Sequence, residues 1–591
     1  MPSTKKLLQA AAGSAGGDPL YVEDVFSTYL YTGTGSAMTI TNGVNLEDNG
    51  GIVWTKPRTS SGESHRLIDA DNSTILASDG TNAKLNGSLS VPQYYLQNNT
   101  DGFDLVGNVS VLSGTDYASW TFRKAEKFFD VVTYTGDGVA GRTVAHNLGS
   151  VPGMIIIKCT STARSWVTYH TSLGATKYLT LNSTNASATT SVTFNDTEPT
   201  DSVFSVGTAN SVNISGATYV AYLFASDAGG FGEDETENII KCGSYVGNGG
   251  SGLNSINVGF EPQWVMVKNT SATGSWHMLD VMRGFSVASS GSGPFGGNPL
   301  YANLSNAEGS GTRTLNPTAT GFEFSSGTSA FNNNGNTFIY IAIRRPMKTP
   351  ESGTEVFAMD TLGSTGDGNQ PGYRSPFPVD MGLKTSLTGN QRQISTRLLQ
   401  GTELLTESTA AEAASASKQF DYMNGTDTST ATSSVNMMWM FKRATGFMDV
   451  VAYTGTGSAH TEAHNLGVVP EMMIIKPRSS SYQWSVWNKD IASSSPYYEI
   501  VLNLSEAQTD ANNTNAPFSG LPTDAGFSLP SGTASASNRI GYTYIAYLFA
   551  TLAGVSKVGS YTGTGSDLNV DCGFSAGARF ILIKRADSTG D

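Results

Sequence analysis

A Tyr-x-Gly-x-Gly turn returns five times along the chain, at Tyr31, Tyr134, Tyr245, Tyr453 and Tyr561, and a degenerate version at Asp360-Thr361-Leu362-Gly363 falls in the one double-length gap. Self-similarity at this scale means one supersecondary unit used repeatedly. The spacing defines six units of roughly 90 to 115 residues, each the size of a small domain. Each turn is followed 23 to 25 residues later by a lysine that closes an apolar run: Lys56, Lys158, Lys268, Lys384, Lys476 and Lys584. Eight residues beyond three of these lysines stands a tryptophan, Trp166, Trp276 or Trp484. The unit ends on an aromatic run such as Thr218 to Ala225, "TYVAYLFA".

These runs read as strands. Alternating Tyr219-Val220-Ala221-Tyr222-Leu223-Phe224 suits a pleated strand with rings on both faces, serving core and inter-domain packing rather than a sugar platform. The 66 glycines and the Thr, Ser and Asn between apolar runs punctuate seven or eight strands per unit. The fold class expected is all-β: about six small β-sandwich, jelly-roll-like domains in a tandem array forming an elongated rod, with a short N-terminal helix or arm. The boundaries are an arm at 1–20, repeats at 21–125, 126–237 and 238–348, a divergent repeat at 349–445, a fifth at 446–554 and an incomplete sixth at 555–591.

A longer period lies over the short one. Trp120, Tyr134, Lys158 and Trp166 recur at Trp439, Tyr453, Lys476 and Trp484, offset by 318 or 319 residues, so the chain reads as a triple of domains written twice. The sixth unit then stops one residue before its expected tryptophan. Either the natural polypeptide continues past Asp591 or another chain completes this unit.

Several motifs suggest chemistry until the repeat places them. Gly573-Phe574-Ser575-Ala576-Gly577 spells a hydrolase nucleophile elbow, but Ser575 aligns with a turn leading into a strand, whereas an elbow needs a helix there. The dinucleotide fingerprints "GDGVAG" at 136–141 and "GNGGSG" at 247–252 sit in the repeated tyrosine turn, where glycine supplies positive φ rather than a pyrophosphate cradle. His146 and His464 are matched positions absent from units one, three and six, which points to turn formation or packing. His460 and His464 have a helical ligand spacing on what reads as a strand, so zinc is not expected. The acidic run Gly232 to Asn238, "GEDETEN", reads as a solvated linker; it lacks the ligand alternation of a calcium loop. A carboxylate pair for glycoside cleavage meets in space and leaves no local trace. If one domain carries a special contact it is the divergent fourth, where Lys384, Arg392 and Arg397 form either that contact or a domain interface. No catalytic, cofactor-binding or metal-binding residues are assigned.

The net charge of -14 argues against nucleic acid, whose phosphates need clustered Lys and Arg. Three cysteines, Cys159, Cys242 and Cys572, lie far apart and imply buried thiols rather than a disulfide framework. No apolar run reaches the length of a membrane-spanning helix, so membrane insertion is not expected. The start, with Lys5 and Lys6 before a short apolar run broken by Gln9, reads as a short helix or arm, with a cleaved signal as the alternative.

At "FFDVVTYTGDGVAGRTVAHNLGSVPGMIIIK", "LGATKYLTLNSTNA" and "ATYVAYLFA" the sequence resembles a repeated domain family, of uncharacterised function, found in virion and tail-fibre-like proteins of marine tailed bacteriophages. The opening "KKLLQAAAGSAGGDPLYVEDVFSTYLYTGTGS" looks like the N-terminus of the same proteins. The resemblance covers nearly the whole chain and implies a non-enzymatic virion structural protein, a tail fibre or spike at the particle surface. It brings no catalytic residues and no cofactor. The expected partners are other virion proteins through the arm around Lys5 to Leu20, further copies of the chain as a homotrimer, and a host-surface glycan or protein. A purely architectural capsid-surface fibre and a polysaccharide depolymerase are the alternatives.

Overall fold

The computed structural model describes residues 18–589 apart from 70–73, 85–95, 107–109, 251–253, 286–298, 310–314, 325–328, 362–370, 387–391, 416, 428–435, 492–496, 511–515 and 533–535. The fold is all-β, and the described residues form ten antiparallel sheets that fall into five pairs of one large and one small sheet. Most of the expected N-terminal arm lies outside the described residues; one helical turn, Val22–Val25, leads into the first strand.

Every unit repeats one topology. In unit one the large sheet runs Phe26–Thr32, Asp116–Arg123, Gly51–Pro57, Arg66–Asp69 and Thr74–Leu76, so the last strand of the unit lies between its first and third. The second strand, Met38–Thr41, pairs with the seventh, Gly102–Leu105, to make the small sheet. Units two to five keep the order first, last, third, fourth, fifth, and the sixth strand joins either sheet. Eight strands per unit agree with the number read from the sequence.

The tyrosine turn locks the two sheets together. The hydroxyls of Tyr31, Tyr134, Tyr245 and Tyr453 donate to the backbone carbonyls of Ser110, Val212, Phe331 and Ser537, 2.7 to 3.0 Å away. Each ring stacks on the opposite aromatic of the last strand, as Tyr134 does on Tyr219 with centroids 5.1 Å apart. The two glycines have different reasons. A Cβ on Gly136 would lie 2.2 Å from the Ile214 carbonyl oxygen, while Gly138 needs a φ of +77°. The same pair of reasons holds at Gly247 and Gly249, while residues 251–252 of that glycine run lie outside the described residues.

The last strand buries both faces, as its rings on both sides suggested. In unit three, Phe338, Tyr340 and Ala342 pack inside the sandwich with Phe322 and Phe324. Ile339, Ile341 and Ile343 instead enter a core shared with units one and two, together with Trp54, Trp120, Trp166, Tyr222, Trp264 and Trp276. Units one, two and three therefore surround a common core.

A recurrent contact closes this ring. Lys158 Nζ donates to the carbonyls of Arg164 and of Thr81 in unit one, at 2.7 and 3.0 Å. Lys268 does the same with Gly274 and with Thr184 of unit two, at 2.6 and 2.9 Å. Lys56 completes the cycle with Glu63 and with Ser305 of unit three, at 2.8 and 3.2 Å. The indoles of Trp166 and Trp276 add bonds to the carbonyls of Ala77 and Thr180 in the preceding unit. Two residues past each lysine, the carbonyls of Arg58, Thr160 and Thr270 accept from the backbone N–H of Glu308, Lys84 and Ser187, at 2.8 to 3.1 Å. His65 stands where units two and three carry tryptophan, and it accepts from Trp54 Nε1.

Units four and five begin a second ring built the same way. Lys476 reaches the Thr409 carbonyl and Trp484 the Leu405 carbonyl of unit four, and they share a core that includes Phe357, Phe441, Trp484 and Tyr547. The offset of 318 or 319 residues thus has a physical counterpart in two rings.

One expectation needs correction. The domains do not string out as a rod, because unit one is hydrogen-bonded to unit three across the ring, at Lys56 to Ser305 and Ser78 to Ala302; an end-to-end array would hold these units apart. In the unit expected to be incomplete, residues 555–589 form no strand and pack against the second ring.

The ring-closing lysines are fully buried, and desolvation pulls Lys56, Lys158, Lys268 and Lys476 down to a pKa of about 8. In the unfolded chain a lysine keeps about 10.4. Between these values the folded state binds fewer protons than the unfolded one, so the lysines make stability rise with pH from about 8 towards 10. Denaturant midpoints measured at pH 7.5, 8.5 and 9.5 should rise over this window, and less so in Lys268→Met.

Candidate functional site: the cleft between the rings

A cavity of about 1080 Å³ lies where unit one meets unit four, with unit three at its side. One wall is the strand Phe26–Thr32, an edge strand paired on one side only, by Asp116–Arg123. The other wall is made of unit four residues, including Phe377, Asp380, Arg397, Asp421 and Tyr422. Gln263, Met282 and Arg345 of unit three and its linker fill the side.

Ion pairs run through the walls. Asp421 pairs with Arg58 at 3.0 Å, Arg58 with Glu308 at 3.0 Å, Glu308 with Arg283 at 2.8 Å and Arg283 with Asp280 at 2.7 Å. Asp280 accepts from the Trp120 indole, so the chain of charges ends in the core of the first ring. A second cluster ties unit three to units four and five. Both oxygens of Glu261 accept from the Arg443 guanidinium, at 2.8 and 3.1 Å, and Asp449 pairs with Arg345 at 3.1 Å. Arg397 pairs with Asp380, whose other oxygen accepts from the Arg443 backbone N–H. Burial works against the charge on Arg443, but Glu261, Asp380 and Asp449 outweigh it and hold the guanidinium above its ordinary pKa.

The carboxylates of the cleft are committed to structure. Asp380 and Asp421 are paired with arginine, Asp116 accepts from Thr32 Oγ1 at 2.7 Å, and Glu23 Oε1 accepts from the backbone N–H of Met347 and Lys348. Burial raises the Glu23 pKa although these N–H groups oppose it. Apart from Glu23 Oε2, which is buried without a hydrogen-bond partner, this constellation supplies fixed acceptors. Its chemistry suits holding two rings in register beside an open strand edge.

The residues singled out in the sequence are scattered. Ser575 sits in an exposed turn followed by no helix. His146 and His464 close equivalent turns: Nδ1 accepts from the N–H of Leu148 or Leu466, and Nε2 lies 3.2 or 3.0 Å from the carbonyl of Thr200 or Thr523. His460 pairs with Glu462 at 2.8 Å, and among the described residues no cluster of three metal-ligating side chains exists. The acidic run is solvated at residues 233–237, as expected, while Glu233 accepts from Tyr21 and Glu237 pairs with Arg344. Cys159 and Cys242 are buried as expected, whereas Cys572 is half-exposed. Lys384, Arg392 and Arg397 do not cluster: Arg397 lines the cleft, Arg392 is exposed, and Lys384 lies over the Tyr373 ring.

Glu261, Arg345, Arg443 and Asp449 were not singled out from sequence. One trace existed, the aspartate shared by "FFDVV" at 128–132 and "FMDVV" at 447–451. In both copies it accepts the N–H of the asparagine after the histidine, Asn147 or Asn465. Only at Asp449 do arginines join it. Removing one partner of a buried pair leaves a stranded charge and costs about 3–5 kcal/mol. Arg443→Met should therefore lower the second ring's unfolding transition in scanning calorimetry and split it from that of the first ring.

No curated protein matches the chain. A family model does match, over residues 22–346 and 407–591, which is well over half of the chain. The unmatched stretch covers the front of unit four, the repeat that diverges most in sequence. The chain belongs to the family described as Domain of unknown function (DUF7483).

Proposed function

We propose that this is a bacteriophage virion structural protein, a tail fibre or spike that projects from the particle and contributes to host-surface attachment. The observation that carries the reading is the repeated ring of β-sandwiches, each unit locked to the next by a buried lysine and its carbonyls. Such a ring is a stiff scaffold that presents loops and strand edges outward, a task that needs no catalytic group. The repeat phrases that resemble virion and tail-fibre-like proteins point the same way, and so do cleft carboxylates bound up in ion pairs and turns.

In this reading the segment around Lys5 to Leu20 attaches the protein to other virion proteins, and outward surfaces meet a host glycan or protein. Nucleic acid and membrane insertion have no part in it; the net charge is -14, and among the described residues no helix is long and apolar enough to cross a membrane. Homotrimerisation belongs to the same proposal. Three-fold packing is already satisfied inside the first ring, so association of whole chains would use other surfaces. A purely architectural capsid-surface fibre would use the same scaffold and differs in where it sits. Depolymerisation of a surface polysaccharide ranks below both.

Immunogold electron microscopy of intact virions, with an antibody against units two and three, separates these readings. Label on tail projections is the expected result. Label spread across the capsid would favour the architectural role, and particles without label would overturn the virion assignment. Release of reducing ends from host polysaccharide, abolished by a single carboxylate substitution, would restore the enzyme.

A further inference from the structure

Inside unit four an amine and a carboxylate meet almost out of reach of solvent. Lys418 Nζ donates to Asp427 Oδ2 at 3.1 Å, and the two side chains are 2% and 1% exposed. The pairs of Lys241 with Asp227 and Lys489 with Glu471, by contrast, lie open, with side chains 24% to 41% exposed. Glu403, on the strand Thr402–Leu405, brings a second carboxylate to 3.9 Å from Lys418 Nζ. Gln393 links the group, accepting from Lys418 Nζ at 3.3 Å and donating to Glu403 Oε1 at 3.1 Å. Asp427 Oδ1 is buried without a hydrogen-bond partner.

The backbone fixes both reactants. Lys418 N–H donates to the Ser415 carbonyl at 3.0 Å, and the Lys418 carbonyl accepts from Gly401 N at 2.8 Å. Asp427 N–H donates to the Gln419 carbonyl at 2.9 Å, and the Asp427 carbonyl accepts from Gly372 N at 2.7 Å. Asp427 is held there at a φ of +70°, a left-handed conformation that is costly for a residue other than glycine. Next to it, Thr426 pairs with Tyr373, which with Phe420, Met438 and Met440 belongs to the apolar core of the unit. An ion pair in so dry a place is a weak source of stability, because both charges have lost their water. Condensation to an amide would remove both charges.

We propose that Lys418 and Asp427 join in an intramolecular amide bond, made by the folded chain itself with Glu403 as the proton relay. One proton passes from the Lys418 ammonium to Asp427 Oδ2, leaving an amine and a carboxylic acid. The Nζ lone pair attacks Cγ, while Glu403 takes a second proton from Nζ and returns it to the departing hydroxyl. The Nζ–Cγ bond replaces a Cγ–O bond, and one water leaves with two of the three ammonium protons. The step is redox-neutral and needs no co-reactant. Holding the amine against the carboxyl in one geometry supplies the effective concentration that a condensation in water lacks. The bond closes residues 418–427 into a covalent loop. That loop carries Asp421, which pairs with Arg58 of unit one, and Tyr422, which lines the cleft, so the cross-link stiffens the wall that unit four presents to unit one. None of this depends on where the protein sits in a particle.

Mass spectrometry of the purified full chain reads the bond directly. Residues 398–442 contain Lys418 as their one internal trypsin site. Trypsin should release them as a single peptide, uncut after Lys418 and one water lighter than its sequence, with fragment ions that join Lys418 to Asp427. Lys418→Arg keeps the positive charge and should restore the full mass. Timed after cell-free synthesis, Glu403→Gln should form the cross-linked peptide roughly a hundredfold more slowly than the native chain. Separate peptides 398–418 and 419–442 at full mass in the native chain would overturn the proposal. So would a water loss that persists in Lys418→Arg, which is the mark of a cyclic imide at Asp427. An unchanged rate in Glu403→Gln would overturn the relay.

Discussion

Everything above the level of a single sandwich depends on a lysine ammonium buried against backbone carbonyls of two neighbouring units. Taking an ammonium out of water is expensive unless its donors are satisfied. Lys158 and Lys268 each meet one carbonyl of their own unit and one of the preceding unit, and Lys56 meets one from unit three. The ammonium is therefore well placed only when the neighbour is in position. Around these bonds the tryptophans and the inner faces of three last strands bury a common apolar core, which provides the larger share of the driving force.

The rings in turn are joined by charge. Two paths of ion pairs cross the junction, one from Asp421 through Arg58 to the Trp120 indole and one through Glu261, Arg443 and Asp449. Such pairs contribute geometry more surely than net stability. They fix unit four beside unit one and leave the edge of Phe26–Thr32 facing an open cleft. A strand edge held open in this way leaves a row of backbone hydrogen-bonding groups without a strand partner.

Much of the unit was legible in the sequence because its rules are local. The tyrosine turn, its positive-φ glycine and the alternating last strand each follow from residues a few positions apart, and counting apolar runs gave seven or eight strands per unit. The pairing of triples was legible as a period. Ring closure was not, and the reason is physical: the lysine is visible, but its acceptors at Thr81, Thr184, Ser305 and Thr409 are backbone carbonyls in loops that differ in sequence. A main-chain acceptor leaves no side-chain signature. The same limit applies to the cleft, where Arg58 pairs with Asp421 363 positions away and Arg443 with Glu261 182 positions away.

Small-angle X-ray scattering of the purified chain addresses the ring arrangement most directly. Two compact rings predict a radius of gyration of roughly 25–30 Å, near the scaling for a single compact body of this length. A radius of about 50 Å or more, with the scattering profile of a thin rod, would mean that the units are strung end to end and would contradict ring closure.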